Sequence, residues 1–379
     1  MISTLVNIIL FVFVVGFLTL IHELGHFLAA KLVGAKVYEF SLGFGPKLIS
    51  KKYKETLYCI RGIPLGGFVK ILGDGDPGEY EKENKEDLAK SEYNLNNKSK
   101  IAQIFVMLAG VFMNILFAII FYYAILGLNE WKTTPIYVNL EEVNVVGVEL
   151  ERVVGYQLME DSPASEAGLP VYGLIKQADG IVVRSRDDLI EILEGREVVS
   201  LLVCDDMGLE CSDYEVDVDE EGRIGVYISH GSILDYGGNR VFAGPVYLVN
   251  NLKIISRVLG SMIGTARETG DYSDLSNTVS GPIGIFLLID SLRTRGTIVF
   301  LSLIADLSIS LAIINLFPIP ALDGGRVLIV ALEGIFRKDF DEKWKAIIIN
   351  VSMILLLVLV VLIMIKDVVN FESMREMFG

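Results

Sequence analysis

The sequence predicts a polytopic α-helical membrane protein with about four transmembrane helices and one large polar domain outside the bilayer. Three observations carry that prediction. Of 379 residues, 52% are hydrophobic, and the mean hydropathy is positive, which is more apolar than an ordinary soluble protein and too long for one small domain. Apolar runs recur at about 5–30, 101–128, 297–317 and 346–366, each near the roughly 20 residues that cross a hydrocarbon core about 30 Å thick. Finally, the net charge of −15 is segregated along the chain.

The first run lacks a basic leading segment and a small-residue cleavage site, and it is longer than a signal-peptide core. It reads as a retained span over residues 1–34. Between Lys31 and Arg61 stand seven basic residues (Lys31, Lys36, Lys47, Lys51, Lys52, Lys54 and Arg61) against Glu39 and Glu55. Basic residues near span ends mark the cytoplasmic side, so 35–100 is expected in the cytoplasm. Residues 101–128 form the second span. The stretch 129–232 is acidic, with DVDEE at 217–221, and is assigned to an extracytoplasmic domain, followed by a linker and membrane-surface segment at 233–296. The third span is 297–325. The loop 326–345 carries Arg326, Arg337, Lys338, Lys343 and Lys345 and returns to the cytoplasm, and 346–379 holds the fourth span and a short tail. The N-terminus, the acidic domain and the C-terminus are thereby extracytoplasmic, in a cytoplasmic (inner) cell membrane. An acidic outer domain argues against nucleic acid as a partner. Of three cysteines, Cys204 and Cys211 can pair across a hairpin in an oxidising compartment, and Cys59 reads as a free, partly buried thiol.

The chemistry is concentrated in IHELGHFL at 21–28. His22 and His26 are one turn apart on one helix face. Two neutral imidazole nitrogens at about 2.0–2.1 Å can hold one zinc ion, with Glu23 between them as general base. In a soluble helix such a pair is often structural. In a membrane span, two histidines and a glutamate cost several kcal/mol unless paired or wetted, so they point to function.

A catalytic zinc needs a third protein ligand and an open position. His22 lies about 25 Å along the first span, toward the cytoplasmic leaflet. The remaining histidine, His230, belongs to the outer domain and reads as a surface residue, and Asp306 sits too far outward in the third span. Asp323 closes NLFPIPALDGG at 315–325, where Pro318 and Pro320 stop a regular helix and two glycines let the backbone turn. Irregular backbone at membrane depth is tolerated where protein or a water cavity satisfies it. Asp323 is therefore the expected third ligand.

Together, HELGH and NLFPIPALDGG resemble the site-2 protease family of intramembrane zinc metalloproteases, of the PDZ-containing, regulator-of-sigma-E kind. The resemblance implies one Zn2+ per chain held by His22, His26 and Asp323, with Glu23 as the catalytic residue. RGIPLGGFVKILG at 61–73 resembles the family's membrane-re-entrant β-hairpin, placed at about 58–73, with Gly66 and Gly67 near substrate. AGVFMN at 109–114 supplies a G-x-x-x-N pattern in which Gly110 allows close packing; Asn114 and Asn315 are expected to hold substrate backbone, and Pro318 and Pro320, placed in the same substrate-binding region, to shape the loop that presents Asp323. DSPASEAGL at 161–169, with IKQADGIVVRSRDDLIEIL at 175–193, resembles an α+β PDZ-like domain, which implies a peptide ligand bound by strand addition. SGPIGIF at 280–286 is similar to the family's stretch before the third span.

The implied activity is zinc-dependent endoproteolysis within or near the transmembrane segments of single-pass proteins in the lipid bilayer: an anti-sigma factor, a membrane-tethered regulator or a signal-peptide remnant. A non-catalytic PDZ membrane adaptor is the alternative. The glutamate between the histidines speaks against it, since a structural metal site needs no base. A metal-ion transporter would need polar residues laddered across the bilayer, and the site is one-sided.

Overall fold

The computed structural model describes residues 2–74, 91–138, 140, 143–205, 208, 210–293 and 295–372. It contains two compact units, Met1–Phe121 with Ser276–Gly379, and Tyr122–Leu275. Helices α1 (Ile2–Leu32) and α2 (Lys100–Leu128) are joined through two long strands, β1 (Val37–Tyr53) and β2 (Thr56–Ile71). Among the described residues, four helices are long and apolar enough to cross a membrane: Leu5–Leu32, Lys100–Leu128, Thr297–Leu316 and Glu342–Val369. Each overlaps one of the four apolar runs, and with the β-sheets they are compatible with a membrane protein carrying a β-rich portion.

In the first unit, β1 and β2 form a sheet by folding back on each other. Phe40 lies opposite Val69 on one side and Tyr58 on the other, and Ser50 opposite Cys59. The expected hairpin within 61–73 is thus one strand, to Ile71, whose partner lies upstream in 37–47. The missing turn has a local cause. Gly66 takes a left-handed φ of 108° within the strand, and a Cβ there would lie 2.4 Å from the Phe44 ring. The glycines therefore bend a strand against an aromatic ring instead of closing a hairpin. Arg61 fastens the fold-back: its guanidinium bonds Glu39 Oε1 at 2.5 Å, Ser41 Oγ at 2.9 Å and the Gly45 carbonyl at 2.6 Å. Glu39 is 1% exposed, and such burial requires this pairing.

Beyond the second unit, α7 (Pro282–Arg293) leads to α8 (Thr297–Leu316), α9 (Asp323–Phe336) and α10 (Glu342–Val369). Val14 and Leu18 of α1 pack with Ile289, Leu303 and Ile304, and with Phe117 of α2. The span expected to run to 325 stops as a helix at Leu316, because Phe317 turns extended before Pro318; a residue preceding proline is pushed out of the helical region. The segment 326–345, expected as a loop, is mostly helix α9. At one end of α10, Asp367 is fully buried and its Oδ2 accepts the Gly281 and Gly284 N–H groups at 3.0 and 3.1 Å, capping α7 from another part of the chain. At the other end, buried Glu333 of α9 accepts from Lys100 Nζ at 2.7 Å, Lys345 Nζ at 3.0 Å and Phe340 N–H at 3.0 Å. One carboxylate thereby ties the starts of α2 and α10 to α9.

The second unit is an α+β body. Its sheet runs β7-β6-β4-β3-β8, where β3 is Glu149–Leu158, β4 Tyr172–Ala178, β6 Val198–Cys204, β7 Cys211–Asp217 and β8 Val226–Asp235; β5 (Ile181–Val182) pairs β4. The DSPASEAGL stretch makes the one-turn helix α3 (Pro163–Glu166). Ser162 caps it by accepting the Ser165 N–H at 3.2 Å, Pro163 fits the first helical position, and Gly168 takes φ 77° beyond the end, each residue where helix-end chemistry favours it. Helix α4 (Arg186–Leu193) is capped by Ser185 and buries Leu189 and Leu193 against Val154, Ile175 and Leu201. Cys204 and Cys211 are disulfide-bonded across the β6–β7 pair, and Cys59 is a free, buried thiol. Helix α5 (Ala243–Thr269) occupies much of the segment expected as linker, and α6 (Ser273–Thr278) follows.

The Glu333 junction yields the first prediction. Burial raises the Glu333 carboxyl, and the hydrogen bonds from Lys100, Phe340 and Lys345 outweigh it, holding the group below its ordinary 4.5. A depressed folded value means that its stabilisation is complete above the unfolded value and is lost as pH falls through the folded one. Glu333→Gln should lower stability at neutral pH by about 3 kcal/mol and flatten the dependence below pH 4.5, measured by unfolding of detergent-purified protein. An unchanged midpoint at pH 7 contradicts the assignment.

Candidate metal centre

The site is assembled from α1, α2 and the start of α9. Helical periodicity puts His22 and His26 on the same face of α1, and both turn Nε2 to one point, 3.2 Å apart. Asp323, the first residue of α9, brings Oδ2 to 3.1 Å from His22 Nε2 and 3.3 Å from His26 Nε2. The broken third span makes this approach possible. A Cβ at Gly324 would lie 2.1 Å from the Leu316 carbonyl oxygen, and one at Gly325 2.1 Å from that of Ile319. Only glycine lets α9 begin tucked against the loop that carries Pro318 and Pro320.

The three ligand atoms form a nearly equilateral triangle. Tetrahedral ligands at 2.0–2.1 Å from a zinc ion are about 3.3 Å from one another, which these separations match. All three side chains are at most 14% exposed, and Asp323 Oδ2 is a buried oxygen without a hydrogen-bond partner among the described residues. Two imidazole lone pairs and a carboxylate oxygen this close repel unless a cation lies among them. The donor set of two nitrogens and one oxygen therefore fits zinc with one position left open, and it is the one such cluster of His, Cys, Asp and Glu among the described residues.

Helix α2 closes the site from the side. Gly25 of α1 packs on it, since a Cβ there would lie 2.3 Å from the Ala109 carbonyl oxygen. At Gly110 a Cβ would lie 2.4 Å from His26 Nε2 and 2.8 Å from His22 Nε2, so a glycine at this position leaves the space in which the ligand atoms converge. The Val106 carbonyl is 2.9 Å from His26 Nδ1, and the Asn114 amide nitrogen 3.2 Å from His22 Nδ1.

The sheet lies against the catalytic candidate. The backbone N–H of Val69 bonds the Glu23 carboxylate, and a Cβ on Gly67 would lie 3.3 Å from Glu23 Cγ and 2.8 Å from the Ser41 carbonyl oxygen. Nearer the start of α1, Gly16 faces the Pro64 carbonyl at 3.0 Å from a built Cβ. Strand β2 thus follows α1 up to the glutamate. Arg326, one turn after Asp323, pairs with Asp74 beyond the end of β2 and feels the charge of Glu23.

Of the residues expected in the site, His22, His26, Asp323, Glu23, Gly67, Gly110 and Asn114 are brought together. Gly66 lies beside Gly67 and faces Phe44. Asn315 donates from Nδ2 to the Leu311 carbonyl at 3.0 Å within its own helix, while Pro318 and Pro320 shape the loop before Asp323. His230 lies on β8 opposite Val154, in the other unit, and Asp306 is not in the ligand cluster. Sequence reasoning missed Val69, Arg326 and Val106. Val106 had a signal: it stands four residues before Gly110, on the same helix face.

The comparisons agree with this chemistry. The family model described as "Peptidase family M50" matches residues 10–359. The chain is 31% identical to "Putative zinc metalloprotease CPE1693" of Clostridium perfringens, over 93% of this chain and 95% of that protein. It is 30% identical to "Putative zinc metalloprotease CA_C1796" of Clostridium acetobutylicum, over 96% and 97%. It is 28% identical to "Zinc metalloprotease RasP" of Bacillus licheniformis, over 94% and 97%. The chain belongs to peptidase family M50 and is a zinc-dependent metalloendopeptidase of the site-2 protease type.

Proposed function

We propose that this chain hydrolyses peptide bonds within or near the transmembrane segments of single-pass membrane proteins, with His22, His26 and Asp323 as the zinc ligands and Glu23 as the catalytic base. The observation that carries the reading is the triangle of ligand atoms at 3.1, 3.2 and 3.3 Å, closed by an aspartate about 300 residues after the histidines and set among lipid-length helices. Bound zinc supplies Lewis acidity beside the scissile carbonyl. Glu23 takes a proton from the attacking water as oxygen adds to the carbonyl, then hands it to the leaving amine as the carbon–nitrogen bond breaks. The Val69 N–H bond orients that carboxylate.

A transmembrane helix hides its carbonyls in its own hydrogen bonds, so a substrate must open before it can react. Strand β2, running to Glu23, offers an edge on which the opened segment extends, in the manner of strand addition. In this reading the sheet re-enters the membrane from the cytoplasmic side, and Gly66, Gly67, Asn315, Pro318 and Pro320 border the extended substrate. The segregated charge supports extracytoplasmic termini and an extracytoplasmic domain over 129–232 in a cytoplasmic (inner) membrane, and the Cys204–Cys211 disulfide suits that compartment. The cap-and-turn build of 161–169 supports a PDZ-like assignment. There β8 ends the sheet order, with helix α4 beside it and Tyr227 and Ile190 exposed, a setting for an added peptide strand. An anti-sigma factor, a membrane-tethered regulator and a signal-peptide remnant all have the chemistry of the proposed substrate.

Two substitutions test the assignment in purified protein with a single-pass substrate. Glu23→Gln should retain zinc while cleavage falls by at least about 10²–10⁴-fold, the usual worth of a general base. Asp323→Asn should lose both zinc and cleavage. Cleavage by Glu23→Gln at the wild-type rate, or full zinc content in Asp323→Asn, would falsify the proposed roles.

A further inference from the structure

The face of α2 that meets the two histidines has a regular build. Val106, Gly110 and Asn114 are spaced by four and stack along one side of the helix. Against them, His26 stands opposite Val106, His22 opposite Asn114, and Gly110 faces both Nε2 atoms. The two helices run in opposite senses, and the single turn between the histidines spans the two turns from Val106 to Asn114.

The two imidazoles must present Nε2 lone pairs to hold a metal, and each needs its Nδ1 proton accepted elsewhere. For His26 the partner is unambiguous. A backbone carbonyl only accepts, so the Val106 oxygen at 2.9 Å fixes the proton on Nδ1 and leaves Nε2 bare. For His22 the facing group is the Asn114 amide, whose nitrogen stands 3.2 Å from Nδ1. An amide nitrogen only donates, which would force the His22 proton onto Nε2, the atom aimed at Asp323 and His26. Meanwhile Asn114 Oδ1 is buried without a hydrogen-bond partner among the described residues, and the residue is 0% exposed. Turning the amide about its last torsion exchanges its oxygen and nitrogen with no other movement. The oxygen then accepts the His22 Nδ1–H, and Nε2 is freed. The backbone is already held, since the Ser308 hydroxyl donates to the Asn114 carbonyl at 2.9 Å.

We infer that Asn114 is a positioning residue of the metal centre: its side-chain oxygen accepts the His22 Nδ1–H and fixes the imidazole with Nε2 toward Asp323. This goes beyond the expected role of Asn114 on substrate, and it rests on the reading of His22, His26 and Asp323 as zinc ligands. Gly110 belongs to the same device, since any side chain there enters the space between the two imidazoles.

Zinc affinity of the detergent-purified full chain, by competition with a chromophoric chelator, tests the inference without using activity. Asn114→Leu, which keeps size and loses the acceptor, should bind zinc about 10–100-fold more weakly, as loss of such partners does. Asn114→Asp keeps an acceptor and should bind at least as tightly as wild type. Gly110→Ala should also weaken binding. The visible spectrum of the cobalt-substituted protein should change in Asn114→Leu and return toward wild type in Asn114→Asp. Wild-type affinity in Asn114→Leu overturns the inference, and so does equal weakening in Asn114→Asp. Zinc binding by His22→Ala as tight as wild type would instead overturn the ligand assignment, so the two failures are separable.

Discussion

The structure depends on a single constraint: three polar side chains converge within about 3.3 Å in a buried setting where an unpaired polar group is costly. Several unusual features of the first unit serve that convergence. Gly25 and Gly110 bring two helices together, and the partners of both imidazoles come from one face of α2. Asp323 has to arrive from beyond a helix that would otherwise continue past the site. Proline stops that helix, and two glycines let the next begin against its last turn.

The polar junctions away from the site have a common logic. Glu333 gathers two lysines and a backbone N–H where α2, α9 and α10 begin or end. Asp367 satisfies the first N–H groups of α7 at the other end of α10. In a bundle whose apolar faces gain little from lipid, such directional contacts fix which helix ends meet. They hold the frame in which α9 presents Asp323 to α1.

Much of the site was legible in the sequence because its signals are local. The i, i+4 histidines fix a shared helix face, and the proline-broken span with its following glycines marks where an acid can reach them. The spans were legible from length and composition alone. The role of Asn114 was not, because an asparagine in an apolar helix gives no sign of which neighbour it faces; that depends on the register between α1 and α2. The upstream strand was also hidden. Residues 37–53 mix aromatic, glycine and lysine without a clean alternation, and their pairing with 56–71 is set by the Arg61–Glu39 contact and by Phe44 against Gly66. Helices α5 and α9 look like linker and loop in the sequence because charge and glycine interrupt their apolar pattern.

The most direct test of the central claim is the coordination shell of zinc in the purified protein, read by X-ray absorption at the zinc edge. The account predicts one zinc per chain with two imidazole nitrogens and a carboxylate oxygen among its ligands, at the roughly 2.0–2.2 Å typical of such donors. A sulfur ligand near 2.3 Å, or a shell with a single imidazole, would contradict it.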